Sequence, residues 1–85
     1  MRYSLEFTES AVKELRNLDR QTQRRVTEKI TALCENPFPP GVKKLKAEVD
    51  HLRIRVGDYR VVYRIDGARI VVVTVRIGHR KHVYR

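Results

Sequence analysis

Two alternating runs meet at Gly57-Asp58, and that junction limits the possible folds more than any other feature of the sequence. Before it, Leu52, Ile54 and Val56 alternate with His51, Arg53 and Arg55. After it, Tyr59, Val61, Tyr63 and Ile65 alternate with Arg60, Val62 and Arg64. Period-two alternation marks a strand with one buried face. A glycine-first dipeptide between two such runs predicts a two-residue hairpin turn. Val56 then pairs with Tyr59, and Arg55 pairs with Arg60. The apolar members share one face, while Arg53, Arg55 and Arg60 share the other. A slip of one residue would move Arg60 to the opposite face.

The rest of the chain supplies what covers the apolar face. Tyr3, Leu5 and Phe7 alternate with Arg2, Ser4 and Glu6 and predict a short strand. Thr8 suits an N-cap, and Ala11, Val12, Leu15 and Leu18 follow at helical spacing, so residues 9–18 read as a helix. Asp19 can cap a second helix with Val26, Ile30 and Leu33 on one face, joined by Thr22. That helix stops near Asn36, because Pro37 forbids continuation. Pro37 to Gly41 forms a rigid connector, and residues 42–50 read as polar and irregular. Asp66-Gly67 is a second hairpin signal. The run from Ile70 to Ile77 reads as the central strand, and His79 to Arg85 as a basic tail or edge strand. The expected fold is α+β: an N-terminal strand, a helical hairpin, then an antiparallel β-meander, in two layers with the helices on one sheet face. One domain over residues 1–85 is expected from the length.

Charge divides the chain unevenly. Of the +9 net charge, residues 1–50 hold +2 and residues 51–85 hold +7; eight of the nine cations in the second part are arginines. A basic half beside a near-neutral half implies a polyanionic partner. Arginine suits planar, bidentate phosphate binding, whereas lysine is the commoner solubilising charge. The lone Cys34 excludes an internal disulfide, reads as a small core residue and fits a reducing compartment. The first residues show no apolar signal segment, and no stretch is long enough to span a membrane, so a cytoplasmic location is expected.

The arginine face carries the chemistry. Like charges directly opposite each other across a ladder cost a few tenths to about 1 kcal/mol. A bound anion would reverse the sign of that term, so Arg55 facing Arg60 points to a phosphate site. Cleavage of RNA by its own 2′-hydroxyl needs a proton acceptor, a donor for the leaving 5′-oxygen and cations for the extra charge on phosphorus. Arginine serves the third need and not the first, since it keeps its proton. His79, His82 and Tyr84 in the tail are therefore candidate proton carriers. Other chemistries lack support. The glycines are scattered, the acidic residues show no metal-ligand spacing, and Cys34 has no histidine beside it. No metal and no small-molecule cofactor are expected.

The run from Leu52 to Ile65, LRIRVGDYRVVYRI, closely resembles the central hairpin of RelE-type toxins of bacterial and archaeal toxin–antitoxin systems. The tail from Arg76 to Arg85, RIGHRKHVYR, resembles their C-terminal end, and the N-terminal strand and helical hairpin fit as well. The resemblance spans essentially the whole chain. It is specific for the RelE/ParE superfamily and less so for activity within it. It implies a ribosome-dependent mRNA endonuclease, or mRNA interferase, that is metal-independent, cuts in the A site and leaves a 2′,3′-cyclic phosphate. It also implies a cognate RelB-like antitoxin that wraps the toxin with helical segments, with the ribosome and mRNA as further partners.

Carried over position by position, the resemblance makes Arg53, Arg55, Arg60, Arg80 and Tyr84 the catalytic residues. Lys43, Lys44, Lys46, Arg64, Lys81 and Arg85 are expected to contact RNA or the ribosome. Positions 53 and 55 are typically lysines in the family's archetype and are arginines here. Charge stabilisation survives that exchange; proton transfer by a lysine does not. Tyr84 or a tail histidine thereby becomes the expected base. Two rival readings share the fold: a ParE-like inhibitor of DNA gyrase without nuclease activity, and a plain nucleic-acid-binding module using the same face.

Overall fold

The computed structural model describes residues 2–44 and 51–77. Its elements are β1 (Ser4–Phe7), α1 (Glu9–Arg16), α2 (Arg20–Ala32), β2 (Lys43–Lys44), β3 (His51–Val56), β4 (Tyr59–Asp66) and β5 (Arg69–Ile77). The strands form one sheet in the order β1-β5-β4-β3-β2. The β3–β4–β5 run is the expected antiparallel meander. The sheet as a whole is mixed, because β1 pairs with β5 in parallel. The strand expected at the centre, β5, lies between β1 and β4, and β4 holds the middle place. Among the described residues, no helix is long and apolar enough to cross a membrane.

Both helices begin where the sequence offers a cap. The Thr8 hydroxyl accepts the Ala11 N–H at 3.2 Å, and the Asp19 carboxylate accepts the Thr22 N–H at 3.3 Å. Each satisfies one of the N–H groups that a first helical turn leaves without a partner. The first helix ends at Arg16, two residues short of the sequence expectation. The second closes into a turn over Leu33 to Glu35 ahead of Pro37.

Ala11 of α1 and Val26 and Ile30 of α2 share one core with Leu52, Ile54, Val56, Val61, Tyr63, Ile70, Val72 and Val75 of the sheet. The helices therefore cover a single sheet face. Cys34 is buried and free, as its reading as a core residue requires. Tyr63 is wholly buried, and its hydroxyl donates to the Pro37 carbonyl at 2.5 Å. Burial pushes that phenol up to about 12.

Two local features set the phase of the strands. Val56 pairs with Tyr59 across Gly57-Asp58, and Gly57 takes a φ of +60°, as a primed hairpin turn requires. The second turn differs from expectation by one residue. Asp66 pairs with Arg69, so the two-residue loop is Gly67-Ala68, with Gly67 at φ +62°. Further along β5, Val62 pairs with Thr74 and Tyr63 with Val72, which leaves Val73 as a bulge. Thr8 pins this bulge: its N–H donates to the Val72 carbonyl at 2.9 Å and its hydroxyl to the Val73 carbonyl at 2.6 Å. Beyond the bulge the buried member is Val75, not Thr74.

Past Phe7, β1 no longer covers the outer edge of β5, and Glu14 of α1 takes over. Its Oε1 accepts the Val75 N–H at 2.9 Å and the Thr74 hydroxyl at 2.5 Å, and its Oε2 accepts Arg76 Nε at 2.8 Å. Burial alone would raise this carboxyl. The hydrogen bonds from Thr74, Val75 and Arg76, with the Arg76 charge, outweigh burial and hold it below its ordinary value. A carboxylate lowered in this way stabilises the fold above its unfolded pKa, and that contribution is lost as pH falls through the folded one. Glu14→Gln is accordingly expected to flatten the acid limb of stability against pH. Chemical denaturation from neutral pH down through the carboxylate range checks this, and parallel curves for the two proteins would refute it. Glu14→Ala also strips the Val75 N–H of its partner and is expected to cost about 1–3 kcal/mol at neutral pH.

Candidate nucleic-acid interface

Strand phase sends a second set of side chains to the face away from the helices. Across the sheet they form rows. Arg55 of β3 lies opposite Arg60 of β4, which lies opposite Arg76 of β5. In the neighbouring row, Lys43 of β2 faces Arg53, Arg53 faces Val62, and Val62 faces Thr74. Directly opposed residues have Cβ atoms about 4.5–5.5 Å apart. Five cations thus stand in two adjacent rows around Val62, whose side chain is only 9% exposed and gives the patch an apolar floor. A weakly polarisable floor strengthens the field that these charges exert on an anion above it.

Little acid offsets this patch. Among the described residues, no carboxylate pairs with Arg53, Arg55 or Arg60. The other end of the sheet is built the opposite way. There Arg69 bonds Glu6 at 2.9 Å and Asp66 at 2.7 Å, and Arg64 lies 3.6 Å from Asp66. The sheet thus has a neutralised end and a strongly positive one. Arg53 is half-buried, and its guanidinium is held below the ordinary arginine value. Desolvation is the main cause, followed by the charges of Arg60 and Arg55. Arg60 Nε is buried with no hydrogen-bond partner among the described residues. A buried donor without a partner costs roughly 1–3 kcal/mol. These are the marks of a patch that lacks its counter-charge, and an oxyanion such as a phosphate diester supplies both the charge and the acceptors.

The structure brings together Arg53, Arg55, Arg60 and Lys43 of the expected site residues, with Lys44 next to Lys43 on β2. It sets Arg64 apart, opposite His51 and paired with Asp66 at the neutralised end. Lys46, His79, Arg80, Lys81, His82, Tyr84 and Arg85 lie outside the described residues. One site residue escaped the sequence reading. Arg76 shares the row of Arg55 and Arg60. Strict alternation from Ile70 through Val72 would have placed it on the core face; the Val73 bulge reverses its side.

Because the opposed arginines repel, removing one charge should help the fold. Arg55→Gln is expected to raise stability by a few tenths to about 1 kcal/mol at low ionic strength, with the gain shrinking as salt screens the pair. Inorganic phosphate should raise the melting temperature of the unaltered protein more than that of the variant. Thermal unfolding with and without phosphate measures both effects, and a destabilised variant with an undiminished phosphate response would contradict the reading.

Comparison with known proteins places this geometry in context. A family model described as the ParE toxin of the type II toxin–antitoxin system parDE matches residues 5–84. Toxin RelG of Mycobacterium tuberculosis is 34% identical over 87 residues, covering 100% of this chain and 99% of the relative. The mRNA interferase toxin RelE of Escherichia coli strain K12 is 30% identical over 83 residues, covering 95% of this chain and 86% of the relative. Among solved structures, the toxin in the archaeal RelE–RelB complex from Pyrococcus horikoshii superposes with a TM-score of 0.80 at 30% identity, covering 94% of this chain and 99% of that one. The isolated E. coli RelE toxin also gives 0.80, at 29% identity, with 96% and 90% covered.

Proposed function

The chain belongs to the ParE toxin family of type II toxin–antitoxin systems, and we propose that it acts as an mRNA interferase, a ribosome-dependent endoribonuclease held in check by a RelB-like antitoxin. The observation that carries this reading is the cluster of Arg53, Arg55 and Arg60, which no carboxylate among the described residues pairs with, extended along its row by Arg76, whose Nε alone is held by Glu14. The relatives called mRNA interferase RelE and the solved RelE–RelB complexes support it. The site of action would be the cytoplasm, where ribosomes and mRNA are found.

In the proposed reaction the 2′-hydroxyl loses its proton to a base and its oxygen attacks the adjacent phosphorus. The P–O5′ bond breaks, the leaving 5′-oxygen takes up a proton, and a 2′,3′-cyclic phosphate remains. The arginines bear the extra negative charge on the phosphoryl oxygens, which is work that needs permanent charge and no proton exchange. Four guanidinium groups can supply this stabilisation without a metal held by the protein, so cleavage on ribosomes kept intact by Mg²⁺ should persist when transition metals are removed with a chelator that spares Mg²⁺. Arg80 and Tyr84 complete the site in this reading. Tyr84 takes the 2′-hydroxyl proton or orients the nucleotide, and His79 and His82 are the alternative carriers.

The description of the matching family favours a second reading, a ParE-like inhibitor of DNA gyrase without nuclease activity. A translation extract and a supercoiling assay separate the two. Cut mRNA on ribosomes supports the interferase, whereas blocked supercoiling with intact mRNA supports the gyrase inhibitor. If both assays stay silent while RNA still binds, the protein is a binding module only. Within the interferase reading, Arg60→Ala should slow cleavage on the order of 10²-fold, and Arg24→Ala on the exposed side of α2 should change little. Tyr84→Phe keeps the ring and removes the hydroxyl; a fall of roughly 10²- to 10⁴-fold is expected if that hydroxyl moves or positions the proton. Equal cleavage by Arg60→Ala and Arg24→Ala would remove the arginine face from the mechanism.

A further inference from the structure

We infer that the groove between α2 and the outer edge of β3 is a second RNA-phosphate site, reached from the arginine face through Arg55. The inference rests on the reading of the partner as RNA. It concerns a different set of residues, on a helix that the proposed chemistry does not use.

The groove exists because β2 is short. Its two residues pair only with Arg53 and Leu52, so among the described residues no strand neighbours the β3 edge from Ile54 to Val56, where Pro39 and Pro40 share a smaller cavity with Ile54 and Arg55. Helix α2 runs alongside that edge. The cavity between them measures about 520 Å³ and is lined by Arg25, Glu28, Lys29, Arg55, Val56 and Gly57. Three cations face one carboxylate there. Arg25 and Lys29 are four residues apart, hence stacked on one side of the helix at roughly 6 Å of axial rise. All three cations are exposed, and among the described residues none of them forms a salt bridge, with Glu28 or any other acid.

Two details make this more than a charged helix surface. Arg55 lines the groove and also stands in the row with Arg60, so the positive surface turns the corner of the sheet without a break. A Cβ built on Gly57 would lie 3.6 Å from Arg25 Nη2, so the Arg25 guanidinium reaches the hairpin turn itself. A strand of RNA with one phosphate over Arg55 and Arg60 can therefore present another, further along its backbone, to Arg25 and Lys29. The site would contribute affinity and register, and no chemistry.

The test uses the whole protein on ribosomes programmed with a short mRNA. Binding is taken from the toxin concentration that gives half-maximal cleavage rate, measured over a series of salt concentrations. The Arg25→Gln/Lys29→Gln variant is expected to bind roughly five- to tenfold more weakly. The slope of log affinity against log salt should flatten by about 0.7, the value for one single-strand phosphate. The cleavage rate at saturating toxin should be unchanged. Arg24→Gln, which lines a neighbouring surface with Arg20 and Thr27 and shares only Glu28 with the groove, is the control and should leave the slope alone. Shortening the mRNA on either side of the cut identifies the strand: an effect that disappears belongs to mRNA, and one that persists belongs to ribosomal RNA, both of them RNA phosphates. An unchanged affinity and slope in the double variant would overturn the inference while leaving the interferase reading intact. So would unchanged RNA binding with lost antitoxin co-purification, which would make the groove a protein site. Failure of the unaltered protein to cut any mRNA would instead sink the interferase reading.

Discussion

The two-residue turn at Gly57-Asp58 locks β3 to β4 in a phase that sends every large apolar side chain of the hairpin to the helices, with Val62 the exception, and Arg53, Arg55 and Arg60 to the other face. Because side chains alternate with period two, no intermediate arrangement exists, and a slip of one residue would bury guanidinium groups under α2. The core enforces the register, since Leu52, Ile54, Val56, Val61 and Tyr63 are all buried beneath the helices. The arginine row is thus a by-product of the same constraint that builds the core. The hydrophobic term sets the phase, and the repulsion on the far face is too small to change it. Burying one large apolar side chain contributes about 1.5–3 kcal/mol, whereas an opposed like-charge pair costs up to about 1 kcal/mol.

A second phase decision, at Val73, completes the site. The bulge turns β5 over by one residue, so Val75 enters the core and Thr74 and Arg76 join the arginine face. Thr8 holds the bulge with its N–H and its hydroxyl, while the same hydroxyl caps α1 by accepting the Ala11 N–H. One residue therefore couples the start of the first helix to the side on which Arg76 emerges. Glu14, one and a half turns further along that helix, covers the β5 edge that β1 leaves bare and holds Arg76 by its Nε. The remaining guanidinium nitrogens of Arg76 are left for other acceptors.

The sequence was most legible where local pattern and tertiary packing agree. The alternation around Gly57-Asp58 predicts the β3–β4 register and the facing of Arg55 and Arg60, and Thr8 and Asp19 predict both helix starts. What stayed hidden depends on contacts distant in sequence. The parallel pairing of β1 with β5 joins Ser4 to Arg69, and no local period announces a partner so far along the chain. The bulge at Val73 sits in an unbroken β-branched run, Ile70 to Val73, that contains no glycine or proline to signal an irregularity. Arg76 was missed for that reason alone. Lys43 and Lys44 form an edge strand although neither is apolar, because backbone pairing with Arg53 and Leu52 is all that so short an edge requires. Gly67, expected as the second turn residue, occupies the first, and Asp66 stays in the ladder opposite Arg69, where the two side chains also bond at 2.7 Å.

The chemistry of the face limits how pH can act on it. Guanidinium groups keep their protons across the neutral range, so the positive field over this face stays constant there. Lysines in the same places would give a similar charge and would also be able to exchange protons when desolvated. In the proposed mechanism, arginine at 53 and 55 divides charge stabilisation and proton transfer between different residues. Any pH dependence of cleavage near neutrality must then come from the proton carrier and the substrate, since the arginines contribute no titration. A tyrosine carrier would place the rising limb on the alkaline side, drawn down by whatever cations surround the phenol, whereas a histidine carrier would place it near its own pKa of about 6.5. The separation of roles lets the profile together with single substitutions at Tyr84, His79 and His82 identify the carrier, since the limb that moves or disappears on substitution is that residue's.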